Sequence, residues 1–173
     1  LAFCVNTQAY RELIEANSLL EPVLGVLEGL NYEDPLEIDQ RAKAIREMII
    51  AAEIPADIEV AIRTAYKQLE SQLTEGVMVS VRSSATAEDL PGTSFAGQQD
   101  TYLNIHGADN VLEHVKRCWA SLWTDRAISY RNRQGFQHQD VLLAVVVQEM
   151  FPSEVAGVMF TANPVTSNPD EIF

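Results

Sequence analysis

The fold of this chain is decided by residues 81–101, VRSSATAEDLPGTSFAGQQDT. Arg82 stands near the end of a β-like run, and a loop of small, hydroxyl-bearing residues that includes Gly92 and Gly97 follows it. Small residues allow backbone N–H groups to approach an anion closely, and arginine presents a planar fork of donors to phosphate oxygens. The combination predicts a phosphate-binding loop, although composition by itself favours an exposed turn between two strands.

Alternating residues flank the loop on both sides. Before it, valines at every second position from residue 77 to 81 predict a strand that points Arg82 away from the valine face, toward a cleft. After it, Thr101, Leu103 and Ile105 alternate with two more polar residues, which predicts a second short strand. The loop is therefore expected to connect two strands.

Two further strands are predicted near the end of the chain. Residues 141–147 are apolar on both faces, which is typical of a strand that is covered on both sides. Gln148 stands where that strand emerges, and residues 155–161 predict a last strand that completes a hairpin-like pair.

Helical spacing dominates the remaining sequence. The predicted helices begin at or beside four residues, namely Thr7, Pro35, Pro55 and Asp109. Gly135 ends the last helical stretch, and prolines and glycines leave residues 18–34 unassigned. Helices first, then strands interleaved with one long helix, predict an α+β fold with a mixed sheet packed on helices. We expect a single domain with a helical portion, 1–75, and an α+β portion, 76–173.

Composition excludes several classes of protein. The 173 residues suffice for one domain, and a net charge of −13 argues against nucleic acid as a partner. Cys4 and Cys118 have no metal-binding spacing, and neither a membrane span nor a signal leader is predicted, so we expect a soluble cytoplasmic protein with reduced thiols. Neither a P-loop nor a GxGxxG motif occurs. A chain that begins at Leu1 and stops at Phe173 is expected to be a piece of a longer polypeptide.

A resemblance extends these observations over the second half of the chain. The segment VRSSATAEDLPGTSFAGQQDTYLNI resembles the nucleotide-binding signature of the pyruvate dikinase family, which includes phosphoenolpyruvate synthase, pyruvate phosphate dikinase and rifampin phosphotransferase. The resemblance continues through KRCWASLWTDRA at 116–127, VVVQ at 145–148 and GVMFTANPVT at 157–166. It implies an ATP-grasp-like fold, represented here by a partial domain whose nucleotide-binding α+β portion is 76–173, with ATP and Mg²⁺ as cofactors.

The resemblance also implies roles for four residues. Arg82 matches an arginine that contacts the ATP phosphates and is the implied catalytic residue, and Gly97 matches a glycine that closes over the nucleotide. Thr101 matches the threonine just beyond it, and Gln148 matches a glutamine near the adenine edge. The plainer alternatives are a surface ion pair for Arg82, a turn glycine, an ordinary strand threonine and a polar strand end.

Other polar residues carry weaker expectations. Ser83, Ser84 and Thr86 either orient the phosphate loop or cap local backbone groups. Glu88 and Asp89 are expected to be exposed loop acids rather than magnesium ligands. Arg126 and Arg131 are expected to be solvated on a helix surface rather than to face the ligand. No catalytic histidine is assigned.

The implied activity depends on parts outside these residues. In the family, a histidine on a separate swivelling domain relays phosphate, and magnesium ligands are expected outside this chain, so no metal ligand is assigned. By itself the chain is expected to bind ATP weakly and to catalyse nothing. The resemblance favours phosphoenolpyruvate synthase; rifampin phosphotransferase and a non-catalytic nucleotide-binding module remain the alternatives.

Overall fold

The computed structural model describes residues 1–72, 78–86, 100–151 and 153–172. These residues form six α-helices, a short 3₁₀ turn at His138–Asp140 and four strands. The strands are β1 (Ala2–Val5), β2 (Val79–Ala85), β3 (Thr101–Ile105) and β4 (Leu143–Glu149). The helices are α1 (Thr7–Ala16), α2 (Leu20–Leu27), α3 (Pro35–Ala51), α4 (Ala56–Ser71), α5 (Ala108–Ser121) and α6 (Asp125–Gln134).

The four strands form one sheet in the order β1-β4-β2-β3. The α+β class is confirmed, but the pairings among the described strands are all antiparallel, where a mixed sheet was expected. Each of the two central strands, β4 and β2, runs opposite to both of its neighbours. β1 joins the sheet from the helical N-terminal portion, while the division of the chain at 75/76 stays a prediction.

The sheet has one face against the helices. Val79 and Val81 of β2 and Val145 and Val147 of β4 are completely buried, and they join the core with side chains from the surrounding helices. Helix α5 lies against β2 and β4, and α1 and α4 lie against the other end of the sheet. The opposite face carries the alternate residues, several of which are exposed.

The predicted strands differ from the observed ones in three respects. Residues 2–5 form a strand that the sequence analysis missed, and the described part of residues 155–161 contains no strand. The register of the β2–β3 pairing shifts between Val79 and Val81 of β2, and Asn104 of β3 has a positive φ of 59°. Strict alternation is therefore broken, so that Leu103 is exposed while Ile105 is buried.

Helix ends follow local capping. Asn6, not Thr7, caps α1, its side chain accepting a hydrogen bond from the backbone N–H of Ala9 at 3.2 Å. Asp34 caps α3 immediately before Pro35, and Gly135 ends α6 in the left-handed conformation with φ 73°. Helix α2 occupies the unassigned segment despite its proline, which lies in the first turn where no N–H is needed. In the described residues, no helix is long and apolar enough to cross a membrane.

Candidate functional site

The site predicted from sequence lies on the face of the sheet that points away from the helices. We call this surface the open face and define it by the alternate residues of the four strands: Ala2, Cys4, Ser80, Arg82, Ser84, Thr101, Ala144, Val146 and Gln148. Alternation assigns these side chains to one side because successive residues of a strand point to opposite faces. Three of the four predicted site residues belong to it.

Arg82 stands near the middle of the open face. Its Cα is paired with Val146 on one side and Thr101 on the other, so the backbone that carries it is held by both neighbouring strands. The side chain is exposed and has no salt-bridge partner among the described residues. The predicted direction, away from the valine face, is confirmed. A guanidinium on a fixed backbone, with no salt bridge to another described residue, is available to a ligand anion.

Gln148 and Thr101 lie on either side of Arg82. Gln148 is exposed on β4 opposite Ser80, which makes it a diagonal neighbour of Arg82, a relation that puts Cα atoms about 7–8 Å apart. Thr101 is exposed and directly opposite Arg82 on β3. An amide, a guanidinium and a hydroxyl are thus brought together on adjacent strands.

The other loop candidates fall outside the described residues. Gly97, the predicted glycine over the nucleotide, lies there, as do the two loop acids Glu88 and Asp89. Within the described ranges, no group of three or more His, Cys, Asp or Glu side chains could hold a metal ion. The donor set on the open face contains an amide, hydroxyls and a cation, and these residues do not fit a magnesium site.

Three hydroxyl groups near the end of β2 have different environments. The Ser83 hydroxyl donates to the Asp100 carbonyl at 3.0 Å on the core side. The Thr86 hydroxyl donates to the Leu142 carbonyl at 3.3 Å and accepts from the Leu142 N–H at 3.2 Å. Both serve the backbone, which was one of the two alternatives for these residues. Ser84 is exposed on the open face.

Ser80 and Cys4 are two further polar members of the open face, and neither was assigned to the site from sequence. Ser80 is largely buried there, and its hydroxyl donates to the Gln148 carbonyl at a long 3.4 Å. Cys4 is an exposed free thiol on β1, opposite Val146. The alternation of Phe3 and Val5 was the available signal for β1, but a four-residue strand is recognised with certainty only from its pairing with β4.

Arg131 lies on the helical side of the molecule, and the prediction for it was wrong. It was predicted to be a solvated helix residue, but it is completely buried, whereas Arg126 of the same helix is exposed as expected. Its Nε donates to His138 Nδ1 at 3.0 Å, and its Nη1 donates to the Leu122 carbonyl at 2.6 Å. The guanidinium carbon also lies 4.9 Å from the centre of the Trp123 ring, a cation–π distance.

This arrangement fixes the protonation of its neighbours. Because His138 Nδ1 accepts from Arg131, its Nε2 carries the proton and donates to the Tyr32 hydroxyl at 3.1 Å. Burial, together with the nearby cation, lowers the pKa of His138 to about 4, and burial lowers the pKa of Arg131 to about 10. Tyr10 accepts from the Trp123 indole at 2.8 Å, and burial raises the pKa of Tyr10 to about 12. At neutral pH Arg131 is therefore charged, while His138 and Tyr10 are neutral.

Two grooves border the helices, and the open-face residue Cys4 lines one of them. A groove of about 400 Å³ lies between β1, α1 and α4, and another of about 230 Å³ lies beside Tyr10, Trp123 and His138. Neither is lined by Arg82, Thr101 or Gln148. We give the sheet surface more weight, because an amide, a guanidinium and a hydroxyl lie on adjacent strands there.

Comparison with known proteins identifies the family of the chain. The family model described as "Pyruvate phosphate dikinase, AMP/ATP-binding domain" matches residues 1–173. The chain is 51% identical over 172 residues to a probable phosphoenolpyruvate synthase of Methanocaldococcus jannaschii, covering 99% of this chain and 14% of that protein. It is 50% identical over 159 residues to the phosphoenolpyruvate synthase of Pyrococcus furiosus, covering 91% and 20%.

A relative whose name gives rifampicin as the group that is phosphorylated is almost as similar to this chain as the two phosphoenolpyruvate synthases are. The rifampicin phosphotransferase of Bacillus subtilis is 49% identical over 166 residues, covering 96% of this chain and 19% of that protein. The chain thus spans a fifth or less of these three relatives. Since the family model matches every residue of the chain, the chain belongs to the AMP/ATP-binding domain family of pyruvate phosphate dikinase.

Proposed function

We propose that the chain binds ATP on the open face and serves as the nucleotide-binding part of an enzyme like phosphoenolpyruvate synthase. The observation that carries the proposal is the common face of Arg82, Thr101 and Gln148 on three adjacent strands. Family membership supplies the ligand class, since the matching family model describes an AMP/ATP-binding domain. The ATP-grasp architecture, in which a second lobe covers the nucleotide, is part of the proposal.

In this proposal each of the three side chains binds the part of ATP that suits its chemistry. The Arg82 guanidinium binds phosphate oxygens and stabilises charge as it shifts between them. The Gln148 amide offers both a donor and an acceptor, which suits the edge of an adenine base. Thr101, beside Arg82, adds a hydroxyl donor on the phosphate side, and Gly97 lies in the loop proposed to close over the nucleotide.

In the whole enzyme, the proposed reaction is the transfer of the ATP β-phosphate to a histidine of a swivelling domain and then to pyruvate, while water takes the γ-phosphate. Mg²⁺ neutralises phosphate charge in such reactions. The described residues do not fit a magnesium site, so its ligands are assigned outside them, and no step is derived through the ion. Arg82 holds the phosphates, and the buried core face of the sheet keeps its backbone in place. A cytoplasmic location is included in the proposal.

Rifampicin phosphotransferase is the second candidate for the whole protein because a relative of that name is nearly as similar. The two candidates share the nucleotide and differ in the acceptor. A full-length enzyme carrying this domain, given ATP and either pyruvate or rifampicin, distinguishes them by which acceptor is phosphorylated. A non-catalytic binding module would phosphorylate neither.

The test of nucleotide binding is an NMR titration of ¹⁵N-labelled chain with Mg-ATP, Mg-GTP and AMP, because this method detects weak binding. We expect shift changes at Arg82, Thr101 and Gln148 and a preference for ATP over GTP. Arg82→Ala should weaken ATP binding by about ten- to a hundredfold, the range for a lost hydrogen bond to a charged group. Arg126→Ala, which removes an exposed arginine of α6, is the matched control and should bind as the wild type does. Saturable ATP binding with shift changes confined to the helical side would contradict the proposal.

A further inference from the structure

Ser84 differs from the two other hydroxyl residues near the end of β2. Ser83 and Thr86 are bonded to backbone groups of Asp100 and Leu142. Ser84 is exposed, and its hydroxyl has no hydrogen-bond partner among the described residues. The structure therefore separates three residues that the sequence leaves equivalent, and Ser84 is the one whose hydroxyl is available.

The position of Ser84 follows from the register of the sheet. It stands two positions after Arg82 along β2, with Ser83 between them, so both side chains point to the open face about 7 Å apart. Its partner on β4 is Ala144, a small residue that leaves space above the sheet at this point. The backbone here is also fixed, since β2 and β4 are paired from Val79–Glu149 to Ala85–Leu143.

The three polar side chains along the central strands form a line. Gln148 lies at the level of Ser80, Arg82 is one step along, and Ser84 is the next step in the same direction. Gln148 and Ser84 are thus at levels about 13 Å apart along the strands, with Arg82 between them. If Gln148 meets the base and Arg82 meets the phosphates, the chain of phosphates runs from Arg82 toward Ser84.

We propose that Ser84 is a further nucleotide-binding residue, whose hydroxyl donates to the terminal phosphates and so distinguishes ATP from AMP. The inference rests on the proposed function, since it assumes a nucleotide on the open face. A serine hydroxyl is a suitable donor to an anionic oxygen, and a hydrogen bond to a charged acceptor is stronger than one between neutral groups. AMP, whose phosphate lies nearest the ribose, does not extend to Ser84.

The test measures ATP and AMP affinities in parallel for the 173-residue chain and four variants. Ser84→Ala should lower ATP affinity by about tenfold, the scale of one hydrogen bond to a charged group, and leave AMP affinity unchanged. Ser84→Thr keeps the hydroxyl and should restore most of the ATP affinity. Ser83→Ala is the matched control: it removes a structural hydrogen bond and should lower the unfolding midpoint without changing the ratio of ATP to AMP affinity.

The remaining variant separates failure of this inference from failure of the proposed function. Arg82→Ala should weaken ATP binding whether or not Ser84 takes part. If Arg82→Ala weakens binding while Ser84→Ala leaves the ratio of ATP to AMP affinity unchanged, or lowers both affinities equally, the role of Ser84 is overturned and the site stands. A folded wild-type chain that binds neither nucleotide overturns both.

Discussion

Two arginines on opposite sides of the sheet show how position decides the use of the same side chain. Arg131 is completely buried on the helical side, where histidine, a backbone carbonyl and a tryptophan ring surround it. Arg82 is exposed on the open face, where strand pairing holds its backbone and no salt bridge connects it to another described residue. A buried cation must find partners inside the protein, whereas an exposed one on a rigid strand keeps its donors for a ligand.

The two sides differ in the same way in their other polar groups. On the helical side, hydrogen bonds connect Tyr32 to His138, His138 to Arg131, and Trp123 to Tyr10. On the open face, Arg82 and Ser84 make no such bonds with described residues. We expect the helical side to determine stability and the open face, as proposed above, to determine binding. The predictions below test this separation.

The largest expected effect concerns the two thiols, one on each side of the sheet. Cys4 is exposed, while Cys118 is buried behind β2, and burial, followed by the charge of Asp100, raises the pKa of Cys118 to about 12. At pH 8 a thiol reagent should modify Cys4 at least a thousandfold faster, because Cys118 reacts only after opening, which costs several kcal/mol on the order of the global stability.

The measurement is the time course of labelling by mass spectrometry, with and without urea. A Cys4→Ser variant should have no fast phase, and the wild type should have one fast site in buffer and two in urea. Two fast sites in buffer would mean that β2 does not shield Cys118, which would break the contrast between the faces.

The second prediction removes the buried cation. Arg131→Met keeps most of the apolar volume but leaves His138 Nδ1 and the Leu122 carbonyl without their donor. We expect a loss of about 3 kcal/mol in unfolding free energy, since each buried acceptor without a partner costs roughly 1–3 kcal/mol. Urea denaturation followed by tryptophan fluorescence measures it.

Arg126→Met on the same helix is the matched control, and its stability should lie within about 0.5 kcal/mol of the wild type, as is usual for surface substitutions. A change of less than about 1 kcal/mol in Arg131→Met would show that the cluster does not stabilise the fold.

The contrast between the two arginines was only half predictable from sequence. Valines at alternate positions predicted that Arg82 points away from the core, because period-two patterning alone decides the face of a strand. Arg131 was expected on the surface because arginine is rarely buried. A signal was present, since Arg131 stands three and four residues after Ile128 and Ala127, both completely buried, and so lies on the same face of α6.

Long-range pairing explains the other differences. The four residues of β1 form a strand because β4 offers a free edge, which local sequence does not record. The irregularity in β3 depends on its pairing with β2, and it leaves Leu103 exposed and Ile105 buried, although alternation put both on one face. Helix starts at Pro35 and Pro55 were predictable, because proline and capping residues act within one turn. The roles of Gly97, Arg82, Thr101 and Gln148 remain predictions from the resemblance.

The third prediction is a pH dependence that originates on the helical side. His138 has a pKa of about 4 in the folded protein, below its ordinary value of 6.5. In the pH range between these values the unfolded chain binds a proton that the folded chain does not, so stability falls as the pH is lowered from about 6.5 toward 4. We expect a loss of about 2 kcal/mol across this range, less than the full shift corresponds to because water reaches part of the ring.

The measurement compares urea denaturation at pH 7 and pH 4.5 in wild type, His138→Gln and His106→Gln. Carboxylates contribute to acid sensitivity in every variant, so the difference between variants isolates the histidine. His138→Gln should lose less stability on acidification than the wild type, while His106→Gln, which changes an exposed residue, should lose as much. Equal acid sensitivity in all three would exclude His138 as a source.

The smallest expected effect is on the open face. Arg82→Met should change the unfolding free energy by no more than about 0.5 kcal/mol. The side chain is exposed and forms no salt bridge with another described residue, and the substitution leaves the backbone pairing of the strand unaffected. The measurement is the same urea titration used for Arg131→Met, which makes the two arginines directly comparable. A loss above about 1 kcal/mol would mean that Arg82 has a structural role, the plainer alternative for this residue. A neutral result combined with weakened ATP binding would assign Arg82 to the ligand, because an arginine needed for stability cannot be removed without cost.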